Sequence, residues 1–152
     1  MSSLEVNFKL QRNKGLVSSD PEMEEVVIKE PSADNTRMYS PTQFLLFGMA
    51  GCTSGDVISI LAKMRQNYTD FRVKVRAERE EEHPKVVKWA DIHFMFEGDI
   101  DPDKVRKAIN LSLTKYCSVS ILAIRGGTDL RYSLTINGKS IDKEKKPDPS
   151  LA

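Results

Sequence analysis

The stretch from Ser40 to Arg65 restricts the possible folds of this chain more than any other. Ser40 suits an N-cap and Pro41 the first helical position, where its missing N–H costs nothing. No further proline follows before Arg65, so one helix about 36 Å long is expected. Phe44, Leu45, Leu46, Phe47 and Met49 cover most of its circumference, and Val57, Ile58, Ile60, Leu61 and Met64 repeat this further on. A helix apolar on nearly every side must be buried, which places it at the centre of the fold. Gly48, Gly51 and Gly55 lower its intrinsic stability, and a broken helix is the alternative on propensity. Their use in an intact helix is to let another backbone approach closely.

The remaining periodicities supply the rest of an α+β domain. Leu4 to Leu10 alternates apolar and polar as a half-buried strand does. The turn Asn13-Lys14-Gly15 lets Leu16-Val17-Ser18 pair back on it. Val26-Val27-Ile28 is a short strand before a loop over Glu30–Asn35. Phe71–Ala77 and Ala90–Phe96 alternate again, joined by the acidic stretch Glu78 to Pro84. Asp101-Pro102 starts a second helix with Val105, Ala108, Ile109, Ser112 and Tyr116 on one face. Ser118–Ala123 reads as a short helix stopped by Gly126-Gly127, and Leu130, Tyr132, Leu134 and Ile136 mark a last strand. Segregated strands and helices indicate a mostly antiparallel sheet. One domain is expected over residues 1–140, with a polar tail over 141–152 that frays after Asn137. A central helix apolar all round is hard to cover with one small sheet, so a homodimer is expected.

Composition removes several functions. With 39% hydrophobic and 30% charged residues among 152, the chain is of the soluble globular type. A net charge of +1 gives no field that would draw it to nucleic acid or a membrane surface. Arg72, Lys74 and Arg76 form a basic stripe, but Glu78 to Glu82 follow at once, and a solvated face is the expectation. The apolar stretch Phe44–Leu61 is interrupted by Gly48, Gly51, Thr53, Ser54, Gly55 and Asp56, short of the roughly 20 apolar residues of a spanning helix. The N-terminus has no apolar core of a signal peptide. A cytoplasmic protein with no membrane association is therefore expected. Cys52, Cys117, His83 and His93 lack metal-ligand spacing, and no metal or cofactor is expected.

Two thiols remain as candidates for chemistry. Cys52 lies within the long helix among small residues, and Cys117 at the start of the short one. Helix N-termini favour thiolate over thiol through their orphan N–H groups. A thiolate that attacks a peroxide becomes a sulfenic acid, and a second thiol within reach condenses with it to a disulfide. An external dithiol then resets the pair. Set against this, two cysteines far apart in sequence are more often inert packing residues.

The two segments together resemble the OsmC/Ohr family of thiol peroxidases. Ser40-Pro41 is followed by Leu45-Leu46, a small-residue run, Gly51-Cys52, then Asp56-Val57 and Ile60-Leu61-Ala62-Lys63-Met64-Arg65, as in the family branch with Asp-Val after the first cysteine. Cys117-Ser118-Val119-Ser120 matches the family's Cys-Pro-x-Ser with Ser118 in place of proline. The resemblance implies an intertwined homodimer with antiparallel sheets wrapped around long central helices. It implies that Cys52 attacks an organic hydroperoxide, that Cys117 resolves it, and that a lipoyl protein or thioredoxin-type dithiol is the reductant. The family's glutamate, which holds a catalytic arginine, is replaced here by Thr42 and Gln43. Gln43 can still hydrogen-bond but has no charge. The matching arginine is Arg37 or, in the first hairpin, Arg12. Three readings follow: an organic-hydroperoxide peroxidase, a non-catalytic relative holding an apolar ligand at the dimer interface, and a structural protein with inert thiols.

Overall fold

A computed structural model describes residues 2–29 and 37–152. The chain forms two compact units, residues 1–47 and 48–152, with one helix running from the first into the second. The loop expected over Glu30–Asn35 lies outside the described residues.

In the first unit, β1 (Phe8–Gln11), β2 (Gly15–Ser18) and β3 (Val27–Ile28) form an antiparallel sheet in that order. The expected hairpin is there, with Phe8 opposite Ser18 and Gln11 opposite Gly15. Its first strand begins later than the alternation of Leu4–Leu10 predicts. Tyr39, Phe44 and Phe47 pack edge-on and tilted at the start of the long helix, with centroids 4.8–6.3 Å apart.

The long helix, α1 (Pro41–Lys63), is unbroken. Met49, Ala50, Thr53, Val57 and Leu61 are buried along it at helical spacing. Leu45, Phe47 and Ile58 stay 41–52% exposed. Within the single chain, one stripe of α1 is buried and the opposite face is open. By length and composition α1 could cross a membrane, despite its interruptions. Its middle, however, carries Thr53 and Asp56, both hydrogen-bonded to side chains from elsewhere in the second unit. A carboxylate at the centre of a bilayer is costly, and this helix has the polar anchoring of a core helix.

The second unit is built on a four-stranded sheet in the order β4 (Asp70–Arg79), β5 (Val87–Glu97), β6 (Asp129–Ile136), β7 (Lys139–Lys145). Register explains its core. Val73, Phe94 and Leu134 lie abreast, as do Val75, Ile92 and Tyr132, so one face is apolar across three strands. Phe71 stacks on Phe96 with centroids 4.6 Å apart. Each such side chain removed from water contributes about 1.5–3 kcal/mol. The other face is polar and paired diagonally between β5 and β6: Ser133 Oγ donates to Asp91 at 2.9 Å, and His93 Nε2 meets Thr135 Oγ1 at 2.7 Å. Arg72 and Arg76 of the basic stripe pair with Asp70 and Glu144.

Strands β5 and β6 are parallel, the one departure from antiparallel pairing among the described residues. Parallel neighbours need a long crossover, and here the crossover carries α2 (Pro102–Leu111), a π-helical turn (Ser112–Tyr116) and α3 (Ser118–Arg125). Asp101 caps α2 by accepting from Asp103 N. Val105, Ala108 and Ile109 of its expected face are buried, whereas Tyr116 is half exposed.

The expectation of a frayed tail is corrected. Asn137 and Gly138 both have positive φ, 50° and 74°, which is the two-residue turn that matches strand twist. It returns the chain as β7, with Ile136 opposite Lys139. Asp142 on β7 is buried and accepts from Arg106 Nε at 2.8 Å and Lys145 Nζ at 2.6 Å. Burial pushes its carboxyl up, but these two cations outweigh burial and hold it below the usual value.

Asp142→Asn is expected to lower unfolding free energy by about 1.5–3 kcal/mol in urea titrations near neutral pH, the range for hydrogen bonds to a charged group. Because the folded carboxyl titrates lower than the unfolded one, this contribution is complete above the unfolded value of about 3.9 and is lost as pH falls through the folded value. Equal urea midpoints for both proteins at pH 7 would remove the ion cluster from the account of stability.

Candidate active site

Cys52 and Asp56 lie one helical turn apart on α1 and so share a face. The π-helical turn delivers Cys117, in extended conformation (φ −73°, ψ 101°), to the N-cap of α3. The three side chains meet: both sulfurs and a carboxylate oxygen of Asp56 lie within 4.8 Å of one another. Cys52 is half-buried and Cys117 fully buried, and no disulfide joins them.

The first turn of α3 serves both sulfurs. Cys117 Sγ accepts from Ser120 N at 3.4 Å, as an N-cap side chain does. The Val119 N–H is directed at the Cys52 sulfur. Thr53 Oγ1, fully buried on α1, donates to Cys117 Sγ at 3.2 Å and shares a 2.9 Å hydrogen bond with Ser120 Oγ. Ser112 Oγ donates to Asp56 Oδ2 at 2.7 Å and fixes that carboxylate.

These contacts separate the two thiols. Burial pushes the Cys117 thiol up, but the Ser120 and Thr53 hydroxyls, the Cys52 thiol and the Ser120 N–H all hydrogen-bond to it, and its pKa falls below the ordinary value. Cys52 moves the other way. Burial raises it, its hydrogen bond to Cys117 and the charges of Cys117 and Asp56 raise it further, and only the Val119 N–H opposes. Cys117 is therefore the more acidic of the two thiols, and Cys52 the more accessible sulfur.

The other expected site residues belong to the first unit. Gln43 closes a capping box at the start of α1: its Oε1 accepts from Ser40 N at 2.8 Å, while Ser40 Oγ accepts from Gln43 N at 3.3 Å. Arg37 occupies an exposed turn just before α1, and Arg12 the exposed β1–β2 turn. All three belong to the first unit and both cysteines to the second. Sequence reasoning missed Thr53, Asp56 and Ser120 as neighbours of the thiols, and Ser112 as the partner of Asp56. Asp56 and Ser120 were within view, as the Asp of Asp-Val and the last residue of Cys117-Ser118-Val119-Ser120.

Residues 33–133 match the OsmC-like protein family. Protein YhfA of Escherichia coli K12 is 40% identical over 84 residues, 55% of this chain and 63% of that protein, so the match spans under two thirds of the curated relative. A hypothetical protein from Aquifex aeolicus superposes with TM-score 0.79 at 27% identity, over 90% of this chain and 98% of its own. An organic hydroperoxide resistance protein OsmC from Legionella pneumophila superposes with TM-score 0.65 at 14% identity, over 89% and 99%, a likeness of fold. With two thirds of its length inside the family match and the family's α+β fold in both units, the chain belongs to the OsmC-like proteins.

Proposed function

We propose that this chain is a cysteine-based peroxidase that reduces organic hydroperoxides. The observation that carries the reading is the pairing of an accessible sulfur, Cys52, with a buried, hydrogen-bonded, more acidic one, Cys117, at the N-terminus of α3. Cys117 acts first as a base and takes the Cys52 proton. The Cys52 thiolate attacks the terminal oxygen of the hydroperoxide, and the O–O bond breaks with its electrons passing to the alkoxide. The alkoxide takes the proton from Cys117 and leaves as alcohol. Cys52 is then a sulfenic acid and Cys117 again a thiolate. Attack of Cys117 on the Cys52 sulfur expels hydroxide, which solvent protonates, and forms the disulfide. A lipoyl or thioredoxin-type dithiol reduces it by exchange through a mixed disulfide.

A homodimer fits the same reading. The open apolar face of α1, with Tyr116, Leu122 and Ile124 also exposed, calls for a partner surface. A second copy would cover it and give the site an apolar wall suited to alkyl peroxides. The reading without turnover, an apolar-ligand binder, draws support from Gln43, whose amide is spent on the helix cap.

Three measurements test this. With cumene hydroperoxide and dihydrolipoamide, Cys52→Ser is expected to lose more than about 10³-fold in peroxide consumption, the scale of losing a nucleophile. Cys117→Ser should still form a trappable sulfenic acid at Cys52 but no disulfide by mass spectrometry. A Cys52→Ser protein as active as wild type eliminates the enzymatic reading. Thr53→Val and Ser120→Ala each remove a donor from Cys117, so its pKa rises. The alkaline-rising limb of the pH–rate profile, which reports the pair as a unit, should move to higher pH in both. A profile that stays in place would show that the hydroxyls do not tune the reacting pair.

A further inference from the structure

The cluster that the peroxidase reading uses as two sulfurs is, in the structure, a three-donor set. The two sulfurs and an Asp56 oxygen lie within 4.8 Å of one another, offered by three side chains that converge from two helices. Around a tetrahedral zinc ion, with bonds of about 2.3 Å to sulfur and 2.0–2.2 Å to carboxylate oxygen, such donors stand about 3.5–3.8 Å apart. Closure from the present separations, all within 4.8 Å, therefore requires a contraction of no more than about 1.3 Å.

Each donor already has a supporting contact of the kind that orients metal ligands. Thr53 Oγ1 and Ser120 N donate to Cys117 Sγ, the Val119 N–H points at Cys52, and Ser112 Oγ donates to Asp56 Oδ2. Two thiolates and a carboxylate prefer a borderline-soft cation to magnesium or calcium, which take oxygen sets. Three protein donors leave the fourth position to water, and the half-buried Cys52 side of the cluster opens towards solvent.

We propose that the reduced protein binds one zinc-type divalent cation through Cys52, Asp56 and Cys117. The bound cation and the Cys52–Cys117 disulfide exclude each other. A disulfide brings the sulfurs to about 2.05 Å, whereas zinc holds them nearly twice as far apart and occupies their lone pairs. Zinc therefore acts as a switch that masks the thiols, and this regulatory consequence, unlike the binding itself, rests on the peroxidase reading.

The test uses the reduced full-length protein, Zn²⁺ and Co²⁺ as probes, and no peroxide. Wild type is expected to take up one Zn²⁺ per chain in competition with a chromophoric chelator. With Co²⁺ it should show sulfur-to-cobalt charge-transfer absorption together with the intense visible bands of a tetrahedral site. Cys52→Ser should lose the metal, and Asp56→Asn, nearly isosteric and checked for folding by circular dichroism, should bind at least tenfold more weakly. Ser112→Ala should weaken binding by about tenfold, as loss of a supporting contact does. No charge-transfer band in reduced wild type, or equal affinity in Asp56→Asn and wild type, overturns the proposal. Peroxide consumption measured separately with zinc chelated decides the peroxidase reading. A protein that binds zinc without turning over peroxide and one that does the reverse are thus told apart.

Discussion

The hydroxyl of Thr53 ties the two halves of the site together. It is fully buried on α1, donates to the Cys117 sulfur at 3.2 Å and meets Ser120 Oγ at 2.9 Å. A buried hydroxyl left without a partner costs about 1–3 kcal/mol, so this contact fixes the rotation of α1 against the first turn of α3. With that rotation set, Cys52 faces Val119 N–H, and Asp56 faces Ser112. The acidity of one thiol and the reluctance of the other both follow from it.

The sheet holds the second partner in place. Because β5 and β6 run parallel, the chain must leave the sheet and return, and residues 98–128 form that excursion. The excursion ends at β6, whose Leu130, Tyr132 and Leu134 lie in the apolar face shared with β5. Cys117 sits inside it, at the junction of a π-helical turn and α3. A junction of that kind exposes backbone N–H groups where an ordinary helix would bury them in its own ladder. The lowered pKa of the Cys117 thiol thus follows from the way the crossover is folded around it.

Local chemistry made much of this readable in advance. Ser40-Pro41 and Asp101-Pro102 start α1 and α2, Gly126-Gly127 stops α3, and period-two alternation marks β4, β5 and β6. These signals depend only on near neighbours, and they survived folding. Asn137-Gly138 was an equally local signal, yet the charged run Lys139–Lys145 after it disguised β7 as a tail. Those charges are used: Asp142 is buried between Arg106 and Lys145. Gln43 was read by its place in a family pattern, and its side-chain oxygen accepts from Ser40 N, three residues back.

By itself the sequence determined most of the elements, the α+β class and the two thiols, because capping, alternation and turn chemistry act over a few residues. Only the tertiary structure decided which strands run parallel, which face of α1 is covered, and that Cys52, Asp56 and Cys117 converge. Those outcomes depend on contacts between residues some sixty positions apart. No local preference of a side chain records the distance to a partner that only the folded backbone brings near.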